Sequence, residues 1–303
     1  MNKRKALIKI TGILFLVIGL FSLFFVPVEF TSFYAFSEGG NYHYDGFGFG
    51  SLMFAFIIFN AMAYFVLACL GIPLGIGNIS LKKWGYNLSV AVFRALLILG
   101  LALLASVLFS FDLLKVFEPN QLFIILLFIL LFFIVLPYFL IRFYKNPNTI
   151  KLFKSSDVES YFAKQSPGKL TIILLNFFWI LLFYLLLFFK SAFPLFGEFV
   201  FKKEGTHCLS VAIFILFILT YLLYNNKYYS KYWTLGYYLA LFTSFVMTFL
   251  KHTTNDFINL LNLPVYEVEK VVPAFWIPAG INLVFFFGLL ILIQIFLIFK
   301  IKK

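Results

Sequence analysis

The sequence predicts an all-α fold: a polytopic transmembrane helical bundle of about eight spanning helices, with both termini in the cytoplasm. Three observations carry this. Of 303 residues, 63% are hydrophobic and 12% charged, against about 45–50% and about 25% in soluble domains. Eight apolar stretches have the roughly 20-residue length that crosses about 30 Å of hydrocarbon. Basic residues gather in every second connection. Phe alone supplies 46 residues, which suits helices bathed in lipid on all sides.

The stretches are approximately 6–28, 50–71, 87–110, 121–143, 170–190, 208–225, 233–250 and 279–299. The first follows Met1-Asn2-Lys3-Arg4-Lys5 and is longer than the about 7–15 apolar residues of a signal peptide. Phe24-Phe25-Val26-Pro27 offers no small-residue cleavage site, so a retained first helix is expected. The sixth stretch is short, and the seventh carries Thr and Ser. None alternates apolar and polar residues as a membrane-barrel strand does.

Charge supports the count independently. With the N-terminus inside and eight spans, the inner segments hold 18 of the 24 basic residues and only Asp157 and Glu159 of the 12 acids. The outer loops hold the remaining six bases and ten acids. Lys and Arg collect on the cytoplasmic side, and removing one helix would reverse every later loop. This placement also accounts for the net charge of +12 without nucleic acid. The cell inner membrane is the expected location, and the bilayer with its anionic cytoplasmic head groups the expected surroundings.

The chain also resembles itself at a distance. Phe33-Tyr34-Ala35-Phe36-Ser37-Glu38 parallels Phe193-Pro194-Leu195-Phe196-Gly197-Glu198, and Lys83-Trp84 parallels Lys231-Tyr232-Trp233. Ile141-Arg142-Phe143 and Ile298-Phe299-Lys300 end the fourth and last stretches alike. The expected organisation is two parallel four-helix repeats, 1–145 and 170–303, joined by a cytoplasmic linker, 146–169. A four-helix unit returns to its starting side, so such copies share one orientation.

Two loops are long enough for structure of their own. In the linker, Ser156-Asp157-Val158-Glu159 has capping-box spacing before Tyr161 and Phe162, which predicts a short interfacial helix. In the outer loop from His252 to Pro278, Phe257, Leu260 and Leu261 share one helical face, and Pro264 ends it.

Candidate sites are sparse. Tyr42-His43-Tyr44-Asp45-Gly46-Phe47-Gly48-Phe49-Gly50 is the most distinctive segment. It reads as an outer ligand site around His43 and Asp45, or as a structured helix entry with Gly46 and Gly50 at close-packing spacing. His43, His207 and His252 all fall on the outer side, near Glu38, Asp45, Glu198, Glu204 and Asp256. They lack HxxxH or HExxH spacing, so no metal and no cofactor is expected. Within the stretches, Asn60, Asn176 and Gln294 are amides that either join helices or line a path, and no Asp, Glu or His accompanies them. Arg94 intrudes from the cytoplasmic side, either snorkelling to the interface or gripping an anionic head group. Pro137 should kink the fourth helix. Ala91 with Ala95, and Ala102 with Ser106, give the third helix small faces. Cys69 and Cys208 should lie at different depths and stay unbridged.

Three function classes follow. Sparse polar chemistry favours a non-catalytic membrane component, a scaffold or a subunit beside a membrane-protein partner. A permease for a small or lipophilic substrate requires a mid-membrane cavity at Asn60, Asn176 or Gln294. A membrane enzyme requires the outer histidines to meet a carboxylate.

Overall fold

In the computed structural model, residues 3–109, 118–153, 165–227, 229–252, 254–271 and 281–300 are described. The described chain is a helical bundle. Its long helices are α1 (Lys3–Phe36), α2 (Leu52–Ile79), α3 (Lys83–Leu108) and α4 (Pro119–Tyr144). After a short turn of helix, α5 (Pro147–Ile150), come α6 (Pro167–Phe188), a hairpin of β1 (Phe193–Leu195) and β2 (Glu198–Val200), α7 (Lys202–Tyr224) and α8 (Ser230–Lys251). The short helix α9 (Thr254–Leu261) and the last helix α10 (Ile281–Lys300) complete it. Seven of these, α1–α4 and α6–α8, are long and apolar enough to cross a membrane. The eighth expected span is α10, whose 20 residues lie alongside α3 and α8.

The first helix exceeds its expected end. It runs 34 residues, straight through Pro27, to Phe36; membrane helices tolerate such a proline when neighbouring groups take up the freed carbonyls. At 1.5 Å per residue it is about 51 Å long. The extension brings Glu29 into the helix, just beyond the predicted stretch 6–28, which itself holds no carboxylate. Asn60 of α2 stands beside Glu29, without a well-formed hydrogen bond between them.

Glycine sets how α1 and α2 pair. Around Gly12 lie Gly75 and Asn78, and around Gly19 lie Gly71 and Ile72. A side chain at Gly19 would stand 2.7 Å from the Ile72 nitrogen. Further out, the Phe25 and Tyr64 rings are 5.5 Å apart, as are those of Phe33 and Phe54. The two helices are therefore zipped antiparallel along their whole length, with backbones in contact where residues are smallest. Little else covers α1: Phe21 and Phe24 are 61% and 67% exposed, as lipid-facing side chains are.

The bundle's interior lies at α3 and α6, which touch each other and both touch α2 and α10. Ala91, Ala102 and Ser106 of α3 are buried, as the small faces predicted. One aromatic core joins α6, α8 and α10: the Trp179 and Phe245 rings are 5.7 Å apart, and those of Phe245 and Phe287 4.9 Å. A second joins Ile8, Phe93, Tyr144 and Phe153 at the opposite end of α3.

In α4 the backbone adjusts before the proline. Ile129–Val135 widens to a π-helix, and Pro137 starts the α-helical continuation. The bulge leaves the carbonyl that proline cannot bond with room to relax. The short helix α9 occupies the predicted segment, with Leu261 fully buried. The capping sequence Ser156–Glu159 lies outside the described residues.

The hairpin was not legible as a strand pair beforehand. Leu195 pairs with Glu198 around Phe196-Gly197, both with positive φ, 43° and 98°, as a tight two-residue hairpin turn requires. The segment resembling it, Phe33–Glu38, is the end of a helix and its exit turn.

Candidate functional site

Two polar groupings stand at the end of the bundle that holds the α1–α2 and α6–α7 connections, and both are built by side chains the chain brings from far apart. The first surrounds the entry to α2. Ser51 caps the helix by accepting from the Phe54 N–H at 3.2 Å. The next two orphan amides, Leu52 and Met53, donate to the Glu267 carboxylate at 2.7 and 2.8 Å. The Tyr44 hydroxyl donates to the same carboxylate at 2.7 Å. Glu267 is fully buried, and a helix N-terminus is where a buried carboxylate is best tolerated. Burial first, then Glu267 beside it, pushes the Tyr44 phenol above its ordinary range.

Lys190, just past α6, is the cationic counterpart. Its ammonium donates to the Leu261 and Asn262 carbonyls at the end of α9, a position where a cation suits the helix dipole. Burial lowers its pKa, with Glu267 acting in the opposite sense. Gly46 and Gly50 are needed for this packing rather than for helix contact, which corrects their expected role. Both precede α2 and have φ of +95° and +94°. A side chain at Gly46 would meet Pro264 at 2.8 Å, and one at Gly50 would meet Lys190.

These contacts frame a cleft of about 740 Å³ lined by Tyr44, Asp45, Phe49, Lys190, Pro264 and Tyr266, among others. Tyr44 and Tyr266 stack with ring centres 4.5 Å apart. Asp45 is exposed at its edge, whereas His43 turns away and contacts the Phe36 carbonyl at 3.2 Å.

The second grouping ties the hairpin to α8. The Phe196 and Gly197 amides donate to Ser244 and Thr248 at 3.1 and 3.0 Å, and Ser244 donates to the Pro194 carbonyl at 2.6 Å. The hydroxyl residues that weakened the seventh apolar stretch are thus the hairpin's partners. At the rim, Lys251 pairs with Glu198, and His252 lies 3.5 Å from the same carboxylate. Lys251 chiefly, and His252 after it, hold Glu198 below the usual carboxylate range. His207, exposed near the start of α7, lines a separate apolar groove of about 410 Å³ with Phe196, Cys208 and Tyr237. Among the described residues no group of three or more His, Cys, Asp or Glu side chains could hold a metal ion.

The amides within the spans face one another across helices. Asn176 of α6 donates to Thr220 of α7 at 2.9 Å and accepts from Tyr238 of α8 at 2.6 Å. Trp179 donates to Gln294 of α10 at 2.8 Å. The Gln294 amide faces the Tyr238 hydroxyl, without a well-formed bond from its nitrogen. Neither the cleft nor the groove is lined by Asn60, Asn176 or Gln294. Sequence reasoning missed the corresponding knot at the opposite end of the bundle: Asn78 donates to Ser89 at 2.7 Å and accepts from Tyr144 at 3.0 Å. It also missed Glu267, because nothing local to Glu267 signals the helix it caps.

No known protein family, curated protein or solved structure matches the chain significantly.

Proposed function

We propose that the chain is a non-catalytic, multi-pass component of the cell inner membrane. It has eight spans counting α10, both termini are cytoplasmic, and it works by holding a partner rather than by chemistry. One observation carries this reading: the amides of α6 and α10 are engaged with Thr220, Tyr238 and Trp179 of their neighbours. They hold the bundle together and leave the outer cleft as the polar surface offered to a partner. Its rim residues Phe49 and Val265 are 69% and 72% exposed, the kind of apolar protrusion that anchors an interface.

The test uses photo-crosslinking residues placed at Phe49 and Val265 in cells. The reading expects a discrete crosslinked membrane or outer-face protein at both positions. Crosslinks to lipid alone, from both positions, count against it.

A second reading, a permease for a small or lipophilic substrate, is favoured by the Glu29–Asn60 pair between α1 and α2. Substrate flux into proteoliposomes that is lost in Asn60→Leu would put this reading first. The enzyme reading is weakest, since His252 meets Glu198 but His43 is engaged with a backbone carbonyl.

The orientation rests on the charge asymmetry, with the 1–145, 146–169 and 170–303 division as its companion proposal. One of that division's supports, the likeness of 33–38 to 193–198, joins a helix end to a hairpin. A cysteine at Asn41 should react with an impermeant reagent on intact cells, and one at Ser155 should not. The reverse pattern overturns the topology.

A further inference from the structure

α7 packs chiefly on α6, and α8 on α10, and between α7 and α8, beside the hairpin, lies the groove of about 410 Å³. One wall is a row of α7, His207, Val211 and Ile215, whose spacing of four puts them on one helical face. The facing wall is Tyr237, Ala240 and Leu241 of α8. Leu241 is buried at the floor, whereas Val211 is 58% exposed at the lip. Beyond His207 the α7 row continues to Lys203, which is exposed beside Glu204. Neither Lys203 nor His207 bonds any described residue.

The polar groups along the groove are already engaged. The Tyr237 hydroxyl donates to the Ala212 carbonyl at 3.4 Å, and Ser244 serves the Pro194 carbonyl and the Phe196 amide. Water has no partners in such a space, and an empty groove forfeits dispersion contacts along its walls. Both walls belong to helices long and apolar enough to cross a membrane, so the groove opens sideways onto hydrocarbon. From His207 to Ile215 it runs about 12 Å at 1.5 Å per residue, against about 30 Å of hydrocarbon. A partner helix is about 10–12 Å across and would need a face along the whole span. A single hydrocarbon chain needs only this much.

We infer that this groove holds one acyl chain of a bilayer phospholipid, lying between Val211 and Ala240 with its phosphate beside Lys203. Surrounding lipid is as apolar as the groove, so packing against the walls holds the chain, and the Lys203 ammonium adds a charge-assisted contact to the phosphate. The groove is separate from the cleft proposed for a partner, and its occupancy does not depend on which end of the bundle faces the cytoplasm.

The full chain is reconstituted in phosphatidylcholine nanodiscs containing a phosphatidylcholine with a mid-chain diazirine, irradiated, and its labelled peptides are mapped by mass spectrometry. Peptides 207–215 and 237–244 should label more strongly than the exposed α1 face at Phe21 and Phe24, because a walled chain has fewer lipid neighbours to react with. Ala240→Phe and Val211→Trp fill the groove from opposite walls at exposed positions. Each should bring groove labelling down to the α1 level and leave α1 labelling unchanged, and whichever variant keeps the wild-type melting temperature carries the test. Lys203→Gln should lower groove labelling by less; no change there overturns the head-group placement. Groove labelling no stronger than that of α1, or undiminished in the filled variants, overturns the site. So does a photo-crosslinking residue at Val211 that captures a protein in cells, which would make the groove a docking face for a partner helix.

Discussion

The Tyr44 hydroxyl donates to Glu267 across 223 residues of sequence at 2.7 Å, and the same carboxylate closes the N-terminus of α2. One buried acid therefore joins the α1–α2 loop, the second helix and the segment that follows α9.

Removing that acid should loosen all three. Glu267→Ala strands two helix-start amides and the Tyr44 hydroxyl and should cost about 2–4 kcal/mol, from several unsatisfied groups at about 1–3 kcal/mol each. Thermal unfolding in detergent measures it. A fall no larger than that of Glu269→Ala would show that the carboxylate is not holding the loops.

The Glu198 pair gives a pH signature. Its carboxylate is held below the usual range by Lys251 and then His252, so its stabilisation is present above the unfolded carboxylate pKa. It is lost as pH falls through the lowered folded value. Wild type should exceed Lys251→Gln slightly in melting temperature at neutral pH, and the difference should vanish in acid. A difference that grows on acidification contradicts the pairing. Glu198 is exposed, so the effect is small and should shrink further in high salt.

The Asn176 amide should matter to assembly within the membrane. Asn176→Ala leaves the Tyr238 hydroxyl and Thr220 without their partner and should cost about 1–2 kcal/mol, the range of interhelical hydrogen bonds in bilayers. Reversible unfolding in mixed micelles reads this out. Unchanged stability together with new solute flux would instead favour the permease.

Gly19 fixes the α1–α2 hairpin. A methyl group there meets backbone at 2.7 Å, and backbone cannot yield as a flexible side chain can. Gly19→Ala should reduce disulfide formation between cysteines placed at Phe25 and Tyr64, whose rings are 5.5 Å apart in the native pairing. Gly236→Ala, with open space at its Cβ, should leave that crosslink intact.

Composition and period were sufficient to locate the apolar helices, because each must satisfy its own backbone in lipid and so announces itself as about 20 consecutive apolar residues. The short helix over Phe257–Leu261 was legible for a similar reason, since its apolar face is written at i, i+3 and i+4. The Pro27 stretch and the Phe196-Gly197 turn were less so. The predicted stretch ends at 28, whereas the helix runs on to Phe36 packed against α2. Three-residue strands are too short to show a period, and the residues that fix them, Ser244 and Thr248, lie about 50 positions away.

The sequence by itself determined that this is a membrane protein, how its apolar helices are spaced, and that its side chains supply little charge within them. Tertiary structure alone decided what the few polar groups do: Asn176 and Gln294 join helices, Glu267 caps α2, and Arg94 meets Gly168. The physical reason is range. Hydrophobic burial is recorded residue by residue along the chain, whereas a hydrogen bond needs two partners whose separation in sequence carries no trace of their distance in space.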